Sequence, residues 1–225
     1  MPQLEALWEP RFIHDSFANR RGKGTHAAVR RLQEFVRQVA SGQAGGYYLQ
    51  LDVHNFFNSI HRATLYGLLR PVVERAGLSE PARRATHALL RRPALAAGVR
   101  RRGSVEEHAL VPAHKRLENA PIGCGLPIGN LSSQFFANVY LNELDQFVKH
   151  QLKAKRYVRY VDDFVLVHHD RDQLAAWQVQ IEQFLGQRLG LSLKADQRLR
   201  SLGDGVDFLG YVIRPTHTLV RRRVV

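Results

Sequence analysis

Cysteine is almost missing from this chain of 225 residues, in which Cys124 is the only one. An internal disulfide is therefore excluded, and so low a cysteine content suits a reducing cytoplasm. The sequence also lacks any apolar run near the ~18 residues of a membrane span, and its N-terminus lacks the basic-then-apolar layout of a signal peptide. We expect a cytoplasmic protein without membrane contact, and we give Cys124 no catalytic role.

Acidic residues are also few, with 20 Asp and Glu against 33 Lys and Arg, which leaves a formal net charge of +13. This imbalance predicts a polyanionic partner, nucleic acid before an anionic membrane surface. The excess is dense between residues 70 and 116, which hold eleven Arg or Lys against four Glu. In this segment Arg100-Arg101-Arg102 is the predicted footprint of a nucleic-acid backbone, with a merely solvated surface as the alternative.

A hydrophobic fraction of 44% is sufficient for one buried core or slightly more. Residues 61–120 are mostly helical in pattern. Apolar periodicity predicts further helices over 27–39, 132–149 and 173–190, a buried strand over 48–53, a short strand over 191–193 and a hairpin over 206–213.

Two adjacent aspartates, Asp162 and Asp163, lie between two apolar segments. Residues 157–161 and 164–167 are rich in β-branched and aromatic side chains, which indicates two strands. The aspartates between them would form about the shortest hairpin loop available. Such a turn taken alone is more often conformational than chemical, so its interpretation depends on a third carboxylate.

Asp52 supplies that third carboxylate near the end of the predicted strand 48–53. A buried carboxylate needs a cation, a hydrogen-bond cluster or a metal, and we favour a metal. The element order predicts an α+β fold, with an antiparallel or mixed ferredoxin-like sheet and helices on one face. There the end of the Asp52 strand lies beside the hairpin, so three like charges converge and require divalent cations, Mg²⁺ or in its place Mn²⁺.

Two glycine-containing loops complete the pattern. The loop 14–26 carries Arg20, Arg21 and Lys23, which would bind a triphosphate, and a solvated turn fits that loop equally well. The loop 121–134 leads into the helix predicted over 132–149 and would let a ligand approach its backbone closely.

Three motifs carry a resemblance to reverse transcriptases. Tyr160-Val161-Asp162-Asp163 resembles their Y-x-D-D box, and the segment from Asp52-Val53 to Phe56-Phe57 resembles their first palm motif. Phe208-Leu209-Gly210-Tyr211 resembles their primer grip. The resemblance implies a right-hand polymerase palm over 47–213, with the basic helical segment 61–120 inserted. It also implies partial fingers over 1–46, and a chain without a thumb that stops at 214–225 where the thumb would begin.

A fourth segment, Ile128-Gly129-Asn130-Leu131-Ser132-Ser133-Gln134, is similar to the variant found in reverse transcriptases of diversity-generating retroelements. That subgroup copies a template-repeat RNA into adenine-mutated cDNA. The resemblance therefore implies an error-prone RNA-directed DNA polymerase encoded by a bacterium or phage. Its partners would be the RNA template, a DNA or RNA primer, dNTPs and a small, basic, oligomeric accessory protein.

The resemblance also assigns roles to individual residues. Asp52 and Asp162, with Val53, would bind two Mg²⁺ ions, and Asp163 would assist them. Phe57 would exclude a ribose 2′-hydroxyl, and Ile128, with Gly129, would contact the dNTP and loosen control of the templating pair. The usual lysine after the strand 191–193 corresponds to Gln197, which leaves Lys194 or Arg198 as a general acid. The template or primer would contact Gln134, Phe208, Leu209, Gly210 and Tyr211.

Two alternatives remain open at this point. One is a truncated, weakly active or inactive relative that binds RNA through its positive surface. The other keeps the polymerase but changes its role to that of a retron, group II intron-like or phage-defence enzyme. The Ser133-Gln134 ending of the fourth segment weighs against this second alternative.

Overall fold

The computed structural model describes residues 2–42, 45–91 and 103–221. The predicted cluster Arg100-Arg101-Arg102 lies outside the described residues. No helix in the described part of the chain combines the length and the apolar character that crossing a membrane requires.

The described residues form eight α-helices and seven β-strands. The helices are α1 Pro2–Trp8, α2 Thr25–Ala40, α3 Phe56–Ser59, α4 Arg62–Arg75, α5 Glu80–Arg91, α6 Val105–Ala109, α7 Leu131–Gln146 and α8 Arg171–Phe184. The strands are β1 Tyr47–Asp52, β2 Tyr157–Tyr160, β3 Asp163–His168, β4 Arg198–Ser201, β5 Val206–Phe208, β6 Tyr211–Ile213 and β7 Thr218–Val220. Wider π-type turns extend α7 through Phe147–Gln151 and α8 through Leu185–Leu189.

Antiparallel pairing organises both sheets. The main sheet has the order β2-β3-β1-β4, and β5-β6-β7 form a second sheet. The α+β class predicted from the sequence is confirmed, as are the hairpin over 206–213 and the helices near 27–39, 132–149 and 173–190. The prediction of a strand over 191–193 is wrong, because these residues form one isolated β-bridge, between Leu193 and Val53. The fourth strand is Arg198–Ser201, whose polar composition hid it.

The main sheet separates two hydrophobic cores because successive side chains of a strand point to opposite faces. On β1, Leu49 and Leu51 pack into the core formed with α4, α7 and α8. Tyr48 lies in the other core, beside residues of α2 and the second sheet such as Leu32 and Phe208. The helix layer predicted for one face is therefore present, and α2 with the second sheet covers the face that the sequence left unassigned.

Candidate active site

The hairpin that carries the two aspartates has a different loop from the one predicted. Strand β2 ends at Tyr160, and β3 begins at Asp163, which pairs with Tyr160. The two loop residues are therefore Val161 and Asp162, and the prediction that both aspartates form the loop is wrong by one residue. Val161 has a φ of +55°, a backbone conformation that β-branched side chains rarely adopt. Strain of this kind costs about 1–3 kcal/mol and persists where surrounding contacts hold it.

The strand register brings the three predicted carboxylates together. Asp52 is the last residue of β1 and lies opposite Asp163. The next residue, Val53, donates its backbone N–H to the carbonyl of Asp162 at 3.3 Å. The end of β1 thus lies directly beside the hairpin, as the sequence predicted.

Burial and mutual repulsion both act on this cluster. Burial raises the pKa of Asp162 to about 6, and the charge of Asp52 adds to that increase. Burial also raises the pKa of Asp163 to about 7, against a hydrogen bond from Gln50 that lowers it. The nearest cation is Lys194, whose Nζ lies 2.5 Å from Asp52 Oδ2. Lys194 therefore pairs directly with one of the three carboxylates, and its charge lowers the pKa of the other two.

The two hairpin aspartates open into different cavities. Asp162 lines a cavity of about 660 Å³ together with Phe57, Ile128 and Lys194. Asp163 and Asp52 line a smaller one of about 170 Å³, whose wall includes Leu209 and Gly210. The one-residue shift of the loop produces this division, because Asp162 is a loop residue and Asp163 a strand residue.

The carboxylate cluster fits a divalent cation by its donor chemistry, although the protein alone does not complete a metal site. No group of three or more His, Cys, Asp or Glu side chains in the described ranges is arranged to hold a metal ion. However, Asp52 Oδ1 is buried and has no hydrogen-bond partner. A buried unpaired carboxylate oxygen is costly, and hard oxygen donors with excess negative charge are what Mg²⁺ binds. Asp52 and Asp162, with the Val53 carbonyl, are the groups that would hold such an ion.

Some of the predicted nucleotide- and template-contacting residues line the larger cavity, and others lie outside both cavities. Phe57 packs against the core and Ile128 is 73% exposed, yet both line the larger cavity. Gly129 has a φ of +98°, which glycine adopts without strain. Gly129 and Gln134 lie around the start of α7 and belong to the wall of neither cavity.

The three predicted triphosphate cations lie in the loop before α2, outside both cavity walls. Arg20 donates to the carboxylate of Glu9 and to the carbonyls of Ile13 and Ser16, so its guanidinium holds the loop itself. Lys23 donates to the His14 carbonyl at 3.0 Å, and Arg21 is exposed. Their contact with a triphosphate stays a prediction.

The predicted primer grip is the turn between β5 and β6. Phe208 is fully buried in the core under α2. Leu209 and Gly210 form the two-residue loop with φ values of +53° and +84°, the pattern of a twist-matched hairpin turn. Tyr211 lies beside His26 of α2, with its hydroxyl 3.1 Å from the ring nitrogen Nε2.

Two residues of the site were missed by sequence reasoning. Gln50 donates to Asp163 at 3.2 Å and to the Asp207 carbonyl at 3.0 Å, and thereby joins the hairpin to the primer-grip strand. The sequence contained a sign of this contact, because Gln50 precedes Asp52 by two residues and therefore points to the same face of β1. Lys115 lines the larger cavity. It belongs to the basic segment, but its proximity to Asp162 depends on tertiary folding.

Comparisons with known proteins agree with this geometry. The family model described as reverse transcriptase (RNA-dependent DNA polymerase) matches residues 1–213. No curated protein matches the chain. Similar solved structures include telomerase from Candida albicans in complex with a TWJ fragment of telomeric RNA, at 12% identity and a TM-score of 0.59, covering 97% of this chain and 37% of that one. Apo telomerase from Candida tropicalis gives 14% identity, a TM-score of 0.59, and coverage of 97% and 39%. At these identities the likeness is one of fold, and the chain spans well under half of either telomerase chain.

Proposed function

The chain belongs to the reverse transcriptase family, and on that premise we propose that it catalyses RNA-directed DNA synthesis at the Asp52–Asp162–Asp163 cluster. The observation that carries the proposal is the convergence of three half-buried carboxylates at the end of β1, with Asp52 paired to Lys194 and its buried Oδ1 left without a hydrogen-bond partner. Within the proposal, residues 47–213 form the palm and residues 1–46 belong to the fingers.

Asp52, Asp162 and the Val53 carbonyl would hold the divalent cations, which supply activation of the primer 3′-hydroxyl and stabilisation of the leaving pyrophosphate when bound. Phe57 lies on the wall of the larger cavity with Asp162 and would exclude a ribose 2′-hydroxyl there. Asp163, which faces the smaller cavity near Gly210, would act on the primer side of the site.

Lys194 would donate a proton to the leaving pyrophosphate. Burial lowers its pKa, but the hydrogen bond and charge of Asp52 outweigh burial and raise it overall. The ammonium is therefore protonated near neutral pH and lies on the wall of the larger cavity beside Asp162. A protonated lysine at that place can transfer a proton as charge develops on the leaving group.

The proposed template is RNA. The net charge of +13 favours a polyanion, and one telomerase of similar fold is bound to an RNA fragment. Within this activity we propose the mutagenic role of diversity-generating retroelements, together with their accessory protein. Support comes from the segment 128–134 and from the exposed aliphatic side chain of Ile128 on the wall of the larger cavity. An aliphatic group there offers no hydrogen bond to the templating pair.

Primer extension on an RNA template with Mg²⁺ tests the polymerase. We expect the wild type to extend the primer, and Asp162→Asn to lower the rate on the order of 10³-fold or more, because a metal-binding carboxylate contributes several kcal/mol to the transition state. The matched control is Asp204→Asn, which removes an exposed carboxylate and should leave the rate unchanged. A wild type that extends no better than Asp162→Asn overturns the proposal.

Sequencing the cDNA tests the mutagenic role separately. We expect errors concentrated opposite template adenines, and we expect Ile128→Gln to reduce them by restoring a hydrogen-bonding side chain at the cavity wall. An error spectrum that is uniform over the four template bases, or unchanged in Ile128→Gln, would contradict the mutagenic role and leave the polymerase assignment intact.

A non-catalytic RNA-binding protein is the second candidate. It is favoured by the Asp52–Lys194 ion pair, which neutralises one carboxylate internally, and by the incomplete metal site in the described ranges. If this second candidate is correct, wild type and Asp162→Asn bind RNA with equal affinity, and neither protein extends a primer.

A further inference from the structure

Arg159 is a fully buried cation at the base of the aspartate hairpin. Its guanidinium forms two hydrogen bonds with the carboxylate of Asp145 on α7, Nε to Oδ1 at 2.7 Å and Nη2 to Oδ2 at 2.6 Å, and both side chains are 0% exposed. A buried ion pair of this kind adds little net stability compared with well-packed apolar residues. Net stability alone therefore does not explain the remaining contacts of Arg159, which indicate a positioning role.

Those contacts use every N–H group of the guanidinium. Nη1 donates to the Val161 carbonyl at 2.9 Å and to Asn138 Oδ1 at 3.2 Å, and Nη2 also donates to Ser16 Oγ at 3.0 Å. With the two bonds to Asp145, all five donors have acceptors. The Val161 contact fixes the carbonyl of the strained loop residue that directly precedes Asp162.

The backbone of Arg159 binds the N-terminal loop at the same place. Strand β2 is an edge of the main sheet, and its outer side is occupied by the loop. The Arg159 N–H donates to the Asp15 carbonyl and the Phe17 N–H donates to the Arg159 carbonyl, both at 3.0 Å. A further link joins the end of the loop to the hairpin, where the Thr25 hydroxyl donates to the Tyr160 hydroxyl at 3.2 Å.

Ser16 extends this contact to the loop cations. Its hydroxyl accepts from Arg159, and its carbonyl accepts from Arg20 at 2.8 Å. The preceding residue, Asp15, is held in turn by Arg31 at 2.8 Å and Lys149 at 3.0 Å. A continuous series of hydrogen bonds therefore runs from Arg20 through Ser16 and Arg159 to the Val161 carbonyl.

We propose that Arg159 is a positioning residue that couples the loop of residues 14–24 to the hairpin carrying Asp162, with Asp145 fixing its orientation. The coupling holds the candidate nucleotide-binding loop and the candidate catalytic aspartate in one relative position. Arg159 itself is buried and touches no substrate. The kinetic consequence rests on the proposed polymerase function, whereas the structural coupling does not.

Three variants test the coupling. Ser16→Ala removes only the loop side of the contact, and Arg159→Lys keeps a positive charge but has one nitrogen in place of the five-donor fork. The double variant Arg159→Met with Asp145→Leu replaces the buried pair by apolar groups. It also removes the acceptor of the buried Tyr157 hydroxyl, which donates to Asp145 Oδ1 at 2.8 Å, so its fold is checked by circular dichroism before the kinetics. Arg156→Lys is the matched control, since Arg156 lies just before β2 and has one exposed hydrogen bond, to Gln38.

Steady-state primer extension should separate the two ends of the coupling. We expect Ser16→Ala to raise KM for dNTP about threefold with kcat within about twofold of wild type. We expect Arg159→Lys and the double variant to lower kcat about tenfold to a hundredfold at an unchanged fold, because small displacements of reacting groups have effects of that size. Kinetics indistinguishable from wild type in the folded double variant overturn the proposal.

Hydrogen exchange of residues 14–24 and 158–163 gives a second measurement that needs no activity. We expect both segments to exchange faster together in Arg159→Lys and in Ser16→Ala, and neither to change in Arg156→Lys. Wild-type exchange in both segments of these two variants overturns the coupling. An inactive wild type overturns the polymerase proposal instead, and the exchange result then decides the coupling by itself.

Discussion

Asp15 is buried and Asp162 is half-buried near the hairpin, and the pKa values of their carboxyl groups shift in opposite directions. Burial raises the pKa of Asp15, yet hydrogen bonds from Arg31, His14 and Lys149 outweigh it and lower the pKa overall. The pKa of Asp162 is raised to about 6 by burial and by the neighbouring charge of Asp52. The difference comes from the neighbours, because three basic side chains bond to Asp15, whereas the largest charge effect on Asp162 comes from the carboxylate of Asp52.

The same contrast applies to the two clusters as a whole. In the inner cluster, which we define as Asp15, Asp145, Arg31, Lys149 and Arg159, each carboxylate has at least one buried or partly buried cation as a direct partner. In the candidate active site, Asp52 has a direct ion pair with Lys194, whereas Asp162 and Asp163 have none among the ion pairs of the described residues. The inner cluster is thus neutralised within the protein. The candidate active site holds more carboxylates than directly paired cations, and this excess of negative charge supports the proposal of a divalent cation there.

The largest expected difference between the clusters is in stability. Asp145→Asn leaves the buried Arg159 without its charge partner, and we expect a loss of about 3–5 kcal/mol in the free energy of unfolding. Asp162→Asn removes one of several repelling charges, so at pH 7.5 without divalent cations we expect no loss and a modest gain. Urea unfolding of both variants measures this. Equal destabilisation by the two substitutions would show that the two clusters are energetically alike.

The sequence predicted which residues meet at the candidate active site better than it predicted their arrangement. Asp52, Phe57 and the two aspartates occur within short motifs, and strand alternation with hairpin pairing is enough to bring them together. The loop register was missed because aspartate is a common turn residue, whereas valine rarely adopts the positive φ that Val161 has. The buried Arg159 donates to the Val161 carbonyl, and the other partners of Arg159 come from segments far apart in the chain.

Long-range contacts likewise explain the other failures. The inner cluster joins residues from the N-terminal loop, α2, α7 and β2, and no local pattern reveals that Asp15 faces Arg31 and Lys149. The sequence also does not show that Arg20 binds Glu9 and two carbonyls, and the contact of Arg20 with a triphosphate stays a prediction. Periodicity identifies which face of an element is buried. It does not identify which polar groups meet there.

The two clusters should respond to pH in opposite directions. Asp163 has a folded pKa of about 7 against an ordinary value of 3.8, so between these values the folded state binds more protons than the unfolded state. Its contribution to stability is present at low pH and is lost as the pH rises through about 7. The lowered pKa of Asp15 works the other way, since its contribution is lost as the pH falls.

We therefore expect the stability difference between wild type and Asp163→Asn to change with pH in the absence of divalent cations. Asparagine keeps an oxygen that accepts from Gln50 but cannot ionise, so the variant should gain on wild type as the pH rises from 5 to 8. The slope is at most about 1.4 kcal/mol per pH unit for one carboxyl. Unfolding curves at each pH measure it, and a difference that is constant over this range contradicts the raised pKa.

The smallest expected effect, and the most direct comparison, is the response to Mg²⁺. A cation that binds only the folded state raises the free energy of unfolding by about 1.4 kcal/mol at ten times its dissociation constant. We expect wild type and the Asp204→Asn control to show this gain. Asp52→Asn should lose it, because it removes the carboxylate whose Oδ1 is buried without a partner.

The competing explanation is a non-specific response of an acidic surface, and the net charge of +13 makes that explanation weak. If Mg²⁺ stabilised Asp52→Asn as much as wild type, the ion would bind elsewhere and the active-site carboxylates would have to be neutralised by the protein itself. The contrast with the inner cluster would then disappear. A gain that is lost with Asp52 and also diminished in Asp162→Asn would place the ion between β1 and the hairpin, where the excess of carboxylate charge lies.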